Sequence, residues 1–222
     1  MPLGRPGAVY LEKDMEPRPR RSARPGRSAA RAGHAGRSTA PPPLTIRAGT
    51  VRDTRTIYAM LKGLAGYERL LGRFRSSVER VRRDGFGARR YFRTLICRIG
   101  PKPVGVAVYF FTYSTFEARP TLYVEDVFVW PRYRGRGAGG ALLAELARIA
   151  VRKGCARMEW TVLDWNAPAI RFYERLGTIM RREWVLARLT GAPLRRLAQA
   201  RRGAGRRGSR AFTSRSRARI PS

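Results

Sequence analysis

The 222-residue sequence has very little histidine and cysteine: one histidine, His34, and two cysteines, Cys97 and Cys155. Catalysis by a Ser-His-Asp or Cys-His pair needs an imidazole beside the nucleophile, and zinc sites in proteins draw mainly on His and Cys ligands. Because His34 lies in a stretch rich in Pro, Gly and Arg, neither kind of site is expected, and no metal is predicted. Acid-base chemistry must therefore use carboxylates, Tyr, Cys or Lys.

Long apolar runs and a secretory leader are also missing. No apolar run approaches the length of about 18 residues that a membrane-spanning helix needs, so no membrane contact is expected. The N-terminus has no apolar leader core, and its acidic residues argue against an Arg-rich transit peptide; a true start at Met15 or later is an equal alternative. Cys97 and Cys155 lie in apolar segments without CxxC spacing, which is typical of buried, reduced thiols, and a cytoplasmic location is predicted.

Acidic residues are few, and the charge is uneven along the chain. There are 47 Lys and Arg against 15 Asp and Glu, a net charge of +32. Half of the excess lies in 1–43 (9 basic, 3 acidic) and 191–222 (10 basic, none acidic). These ends hold too little apolar surface to fold alone, so 1–43 and 199–222 are predicted to be disordered tails around a domain at 44–198. Such tails allow a nucleic-acid contact, although only 4 basic residues are Lys and the Arg bias is also typical of a GC-rich coding sequence.

Hydrophobic patterning between the tails predicts a mixed α/β domain. Thr50 and Asp53 form a capping-box-like start for a helix that continues to about Leu71. The turn signal at 100–103 predicts an antiparallel hairpin. Further helices are predicted at 77–83, 141–152 and 166–176, with a short amphipathic turn at 194–198. Strands are predicted at 44–47, 91–99, 104–113, 122–130, 157–163 and 183–189.

The segment from Arg134 to Gly140 joins a predicted strand to a predicted helix and carries four glycines. Unpaired N–H groups at a helix N-terminus attract phosphate oxygens, and glycines allow the ligand to approach the chain. A nucleotide ligand with a pyrophosphate is the natural partner; a flexible loop or an RGG-like nucleic-acid contact is the alternative. The glycine spacing fits neither a Walker loop nor a dinucleotide-binding motif.

Several motifs in order resemble one known family. The run RGRGAG at 134–139 resembles the pyrophosphate-binding signature of the GNAT N-acetyltransferases. LYVEDVFV at 122–129, VLDWN at 162–166 and FYERLG at 172–177 resemble its diamine (spermidine/spermine) and thialysine acetyltransferase branch. The resemblance covers about 44–190. It implies a GNAT fold, in which a mixed central sheet flanked by helices is splayed at the acetyl-CoA site, and it implies a homodimer.

The resemblance gives catalytic roles to two residues. Glu125 would be the base or proton relay that deprotonates the substrate ammonium, and its neighbour Asp126 would help to hold that cation. Adjacent strand residues face opposite ways, so both serve one site only if a bulge or splay re-aims them. Without the family match, a salt-bridged strand end is an equal alternative. Tyr173 would protonate the departing CoA thiolate; a core tyrosine is its alternative.

Binding roles follow from the same resemblance. Tyr67 and Glu68 would line the amine site, with an exposed helix end as the alternative, and Asn166 would both cap its helix and contact CoA. The predicted cofactor-binding residues are Val127, Phe128, Val129, Arg134, Gly135, Arg136, Gly137, Ala138, Gly139, Gly140, Asn166 and Arg175.

The predicted function is direct transfer of acetyl from acetyl-CoA to a primary amine of a small molecule. Ser114 and nearby Arg119 stand where polyamine acetylases are acidic, which makes spermine a doubtful substrate, and the VLDWN run favours lysine-like amines. Two alternatives stay open: a nucleic-acid- or ribosome-associated protein that acts through its tails, and a protein N-acetyltransferase.

Overall fold

The computed structural model describes residues 42–200. The predicted tails, 1–43 and 199–222, therefore lie outside the described residues except for two positions each, and the domain boundaries stay predictions. The chain divides after Thr178 into two compact units. The first carries the sheet and four helices, and the second, described over 179–200, carries one helix.

The first unit is built on a five-stranded mixed sheet with strand order β1-β2-β3-β4-β5. The first four strands pair antiparallel, including the predicted β2–β3 hairpin around Gly100, and β5 pairs parallel to β4. This confirms the predicted α/β class. The strands are β1 (Leu44–Ala48), β2 (Arg93–Ile99), β3 (Lys102–Ser114), β4 (Arg119–Val129) and β5 (Arg157–Glu159). The helices are α1 (Thr54–Tyr67), α2 (Val78–Phe86), α3 (Ala138–Arg152), α4 (Ala167–Arg175) and α5 (Gly191–Gln199).

Helix α1 is entered through the predicted capping box. The backbone N–H and the hydroxyl of Thr50 donate to Asp53 at 2.8 and 2.9 Å, and Arg47 donates two further bonds to the same carboxylate at 2.7 and 2.6 Å. The Arg47 hydrogen bonds hold the pKa of Asp53 well below its usual range. The helix ends at Tyr67, four residues before the predicted Leu71, because Arg69 adopts the left-handed conformation at φ 60°.

The sheet carries a separate apolar core on each face. On one face α1 and α2 cover buried side chains that include Ile57, Met60 and Phe128. On the other face α3 and α4 cover a larger set that includes Leu142, Leu146 and Tyr173. Burial of each large apolar side chain contributes about 1.5–3 kcal/mol. Both cores meet at β4, so this strand is held in position from both sides.

Other predicted elements also differ from the structure. The predicted strand at 183–189 is wrong: this segment is irregular and exposed, and a strand needs a neighbour to satisfy its backbone groups. The predicted strand at 157–163 ends at Glu159. Helix α2 continues to Phe86, three residues beyond the predicted end, and Gly85 in its last turn packs so tightly on the Phe92 ring that a Cβ would lie 2.7 Å from it.

Candidate functional site

A β-bulge in β4 lies at the two adjacent carboxylates. Val108 of β3 pairs with Asp126, but the next residue, Tyr109, pairs with Val124, so Glu125 is an extra residue in the ladder. An extra residue of this kind bends the strand and changes which face the following side chains reach. Glu125 and Asp126 could share one site only if the strand were irregular, and this bulge is such an irregularity.

The bulge also resets the alternation of side chains along β4. Val124 and Val127 both lie in the α3/α4 core although they are three residues apart, whereas Phe128 lies in the α1/α2 core. Regular alternation would send Val124 and Val127 to opposite faces. The two residues between them, Glu125 and Asp126, are therefore both available to the α1/α2 face.

Glu125 and Asp126 line the same cavity on that face. The cavity measures about 370 Å³, which lies at the small end of the range for ligand pockets. Its lining combines apolar and charged side chains. The lining residues are Leu61, Arg75, Ser76, Arg80, Val81, Asp84, Phe92, Val108, Glu125 and Asp126.

Asp126 has a strongly perturbed acidity. Removal from water on burial, reinforced by the negative charges of Glu125 and Glu68, raises the pKa of Asp126 to about 8. The carboxyl is therefore mostly protonated at neutral pH. A cation in the cavity would reverse the effect, because an opposite charge favours the ionised form. Carboxyl groups perturbed in this way, in a cleft, are typical of functional sites.

Tyr67 and Glu68 lie at the C-terminal end of α1. Tyr67 keeps 40% of its surface exposed, and the Arg134 guanidinium carbon lies 4.5 Å from its ring centroid. The negative charge of Glu68 contributes to the raised pKa of Asp126, so the two carboxyl groups interact electrostatically. The structure thus brings the predicted Tyr-Glu pair between the carboxylate cavity and the glycine-rich loop.

The glycine-rich loop runs from Arg134 into α3. Gly135 and Gly137 adopt left-handed φ angles of 75° and 78°, a region that favours glycine, and Gly137 is the N-cap of α3. A Cβ at Gly135, Gly137 or Gly140 would meet nothing within 4 Å, so the backbone here faces open space. Helix α3 begins at Ala138, three residues before its predicted start. Its first N–H groups thus lie within the loop, where an anion can reach them.

The loop and the start of α4 each contain a buried N–H donor that has no acceptor within residues 42–200. The Nε of Arg134 donates to the Val129 carbonyl at 3.1 Å, but its Nη2 is buried without a hydrogen-bond acceptor among residues 42–200. The Oδ1 of Asn166 caps α4 by accepting from the Ala169 N–H at 3.4 Å. Its Nδ2 is likewise buried with no acceptor in the described chain. Buried donors without acceptors are costly, so both favour a ligand with oxygen acceptors.

Strands β4 and β5 separate within the sheet. They pair at only three positions, Thr121 with Arg157 to Tyr123 with Glu159, while β4 continues to Val129. From Val124 onward, no strand within residues 42–200 pairs with this edge of β4, which includes the predicted cofactor contacts Val127, Phe128 and Val129. An edge of this kind offers N–H and C=O groups to an extended ligand. The sheet is splayed here.

Tyr173 is completely buried on the α3/α4 side, with 0% of its surface exposed. Its ring packs edge-on against Trp160, which follows β5, with the ring centroids 5.1 Å apart. It belongs to the same core as Val127 and Val129 of β4 and Ala138 at the start of α3. Tyr173 is therefore a core residue, and its core is the one that these predicted cofactor-binding residues share.

Residues 64–178 match the family model described as "Acetyltransferase (GNAT) family", which is more than half of the chain. The chain belongs to the GNAT acetyltransferase family. This makes it an acetyl-CoA-dependent N-acetyltransferase and confirms the fold that the motifs predicted.

Two relatives belong to the branch that the sequence resembled. The chain is 37% identical over 164 residues to a thialysine N-epsilon-acetyltransferase of Mus musculus, across 69% of this chain and 96% of the mouse protein. It is 33% identical over 141 residues to the human spermidine/spermine N(1)-acetyltransferase-like protein 1, across 60% of this chain and 20% of that protein. The solved structure of an integron cassette protein from V. cholerae has the same fold, with a TM-score of 0.60 at 24% identity over 70% of this chain and 98% of that one.

Acetyl-CoA fits the residues that surround the open edge of β4. The exposed glycine backbone at the start of α3 suits the pyrophosphate, and the buried Nη2 of Arg134 and Nδ2 of Asn166 require oxygen acceptors that the described residues do not supply. Arg132 and Arg136 flank the Tyr133 ring beside the loop, at 5.1 and 5.8 Å from its centroid. Arg175, the remaining predicted contact, is exposed in the last turn of α4.

Sequence reasoning did not identify the arginines that line the cavity. Arg75 and Arg80 lie in a polar stretch without a motif, and only the folding of that stretch over the sheet brings them near Glu125 and Asp126. Within residues 42–200 no group of three or more His, Cys, Asp or Glu side chains could hold a metal ion, and no helix there is long and apolar enough to cross a membrane.

Proposed function

We propose that this acetyltransferase moves the acetyl group of acetyl-CoA directly to a primary amine of a small lysine-like molecule or diamine. The observation that supports it best is the bulged strand, which directs Glu125 and Asp126 into one small cavity beside the open edge of β4. Relatives named for thialysine and for spermidine or spermine support an amine of this class.

Proton removal is the first task of the site. An alkyl ammonium has a pKa of about 10.4 and must lose a proton before it can attack a thioester. Glu125 accepts this proton, directly or through water. Asp126 holds the ammonium; as the cation binds, it favours the ionised form of Asp126, so binding is coupled to release of a proton from that carboxyl.

Acetyl-CoA supplies the activated thioester. The N–H groups at the start of α3, with Arg134 and Asn166, bind its phosphate and pantetheine portions, and the open edge from Val127 to Val129 orients the acyl end. Tyr173 donates its phenolic proton to the departing thiolate. Its complete burial keeps bulk water from competing for that role.

Direct transfer agrees with the cysteines. Cys97 is completely buried, and burial raises the pKa of its thiol to about 11, so it is not a ready nucleophile. Cys155 follows the end of α3, away from the glycine loop, and burial raises its pKa as well. Neither thiol is suited to carry an acetyl intermediate.

A panel of amines tests the proposal. The full-length protein is incubated with acetyl-CoA and, in turn, thialysine, L-lysine, L-ornithine, 1,5-diaminopentane, spermidine, spermine and a lysine-containing peptide, and free CoA is measured. We expect CoA release with a lysine-like amine or diamine and little with spermine. No release with any small amine by a protein that binds acetyl-CoA would contradict the proposal, and release with the peptide alone would favour a protein acetyltransferase.

The predicted homodimer and a role for the basic tails stay proposals. Sedimentation of the full-length protein measures the first. For the second, removal of 1–43 and 199–222 should leave acetyl transfer unchanged, whereas loss of a nucleic-acid affinity and of its steep salt dependence would favour the tail-based alternative.

A further inference from the structure

The lining of the carboxylate cavity carries charges of both signs, and a polyamine site does not need the positive ones. Glu125, Asp126 and Asp84 line the cavity together with two arginines, Arg75 and Arg80. The two arginines disfavour a substrate that has only positive charges. A zwitterion, with an ammonium at one end and a carboxylate at the other, satisfies both signs of charge.

We infer that Arg75 is a specificity residue that binds the carboxylate of an amino-acid substrate while Glu125 and Asp126 hold its distal amine. The inference rests on the proposed function and deepens it: the preferred substrate is a diamino acid, and simple diamines are disfavoured. The guanidinium presents parallel N–H groups that match a carboxylate, and such charge-assisted pairs are among the stronger hydrogen bonds in proteins.

Arg75 is the arginine of the pair that is available for a ligand. Its side chain makes no hydrogen bond or ion pair with residues 42–200; only its backbone carbonyl is engaged, by the Arg80 side chain at 2.9 Å. Arg80 has more partners, because its backbone N–H donates to the Ser77 hydroxyl and its charge helps to lower the pKa of Asp84. Arg80 thus positions the segment that carries Arg75.

The rest of the cavity has one other charged group, and it is already paired. The Asp84 carboxylate accepts two hydrogen bonds from Arg83, at 2.7 and 2.9 Å. Glu125 and Asp126 on β4 and Arg75 before α2 line the same cavity, whose other lining residues include the apolar Val108 and Phe92. Acidic, apolar and cationic groups are what the ammonium, methylene chain and carboxylate of a diamino acid each need.

A matched pair of acceptors tests the inference. L-Lysine and 1,5-diaminopentane carry the same distal amine and differ by one carboxylate. For the wild type we expect kcat/KM to be higher for L-lysine. Arg75→Gln should lower kcat/KM for L-lysine about tenfold to a hundredfold, mostly through KM, and leave 1,5-diaminopentane unchanged or improved. Arg75→Glu should reverse the preference.

The controls separate selectivity from misfolding. Arg82→Gln changes an exposed arginine of α2 that does not line the cavity, and it should leave both substrates unchanged. Equal losses for both acceptors in Arg75→Gln, or no loss for either, would overturn the inference. If the wild type acetylates neither amine, the proposed function fails by itself; calorimetry with L-lysine and 1,5-diaminopentane then still decides the inference, because only L-lysine binding should depend on Arg75.

Discussion

The two faces of β4 carry different kinds of side chains. On the α1/α2 face the strand presents two carboxyl groups to a cavity whose lining includes residues of a polar loop and helix. On the α3/α4 face it presents close-packed valines beside a buried tyrosine and a glycine loop. Loop-derived side chains can change without loss of the fold, whereas a packed core and left-handed glycines cannot. The side proposed to bind the acceptor should therefore tolerate substitution better than the side proposed to bind acetyl-CoA.

The largest effect should come from the acceptor face. Glu125→Gln removes the proposed proton acceptor and should lower kcat/KM at neutral pH by about 10²-fold or more, the range of general-base catalysis. Acetyl-CoA affinity should stay within about twofold, because the residues proposed to bind that ligand do not include Glu125. Steady-state kinetics measure kcat/KM, and equilibrium binding measures the affinity for acetyl-CoA.

A pH profile makes the Glu125 prediction specific. As the pH rises towards the amine pKa of about 10, more of the substrate is already neutral, so the deficit of Glu125→Gln relative to the wild type should shrink. Glu117→Gln, an exposed glutamate of the β3–β4 turn, is the control. A deficit that is equal at every pH would assign Glu125 to substrate holding and not to proton transfer.

The next effect should come from the cofactor face. Tyr173→Phe keeps the ring in the core and removes only the hydroxyl, so turnover should fall about tenfold to a hundredfold while acetyl-CoA still binds. The matched control is Tyr109→Phe, at a buried tyrosine of β3, and this variant should keep full turnover. Loss of acetyl-CoA binding in Tyr173→Phe would make its role structural and would weaken the contrast between the two faces.

The last prediction concerns stability and not activity. The folded state keeps the Asp126 proton up to a pKa of about 8, whereas an unfolded chain loses it near 4. Between these values the folded state binds more protons, so this group lowers the free energy of unfolding by about 1.4 kcal/mol for each unit that the pH rises. Relative to the wild type, Asp126→Asn should therefore gain stability as the pH rises from 5 to 8, as denaturant titrations at each pH can measure.

Asp84→Asn is the control for that slope. The Arg83 hydrogen bonds lower the pKa of Asp84, so this group is ionised in both states above pH 5 and its removal should cost a constant amount over the same range. If Asp126→Asn also differs from the wild type by a constant, the carboxyl is not desolvated, and the acceptor face is more open than the structure indicates.

Local signals in the sequence predicted much of the fold. The Thr50–Asp53 box, the 100–103 turn and the glycines before α3 predicted the start of α1, a hairpin and a ligand loop, because each acts through neighbours within a few residues. The prediction at 183–189 failed for the opposite reason. Its Val and Leu residues favour a strand, but a strand exists only where a sheet edge accepts it, and propensity does not carry that information.

The sequence by itself predicted the family and limited the chemistry: the motifs of 122–177 resemble those of an acetyltransferase, and a single histidine, His34, leaves acid-base work to carboxylates, Tyr, Cys or Lys. It showed that Glu125 and Asp126 share one site only if the strand is irregular. Only the tertiary structure decided that β4 is bulged there, and that Arg75 reaches the same cavity. Both depend on pairing and packing between segments far apart in the chain, which side-chain patterns along one strand do not encode.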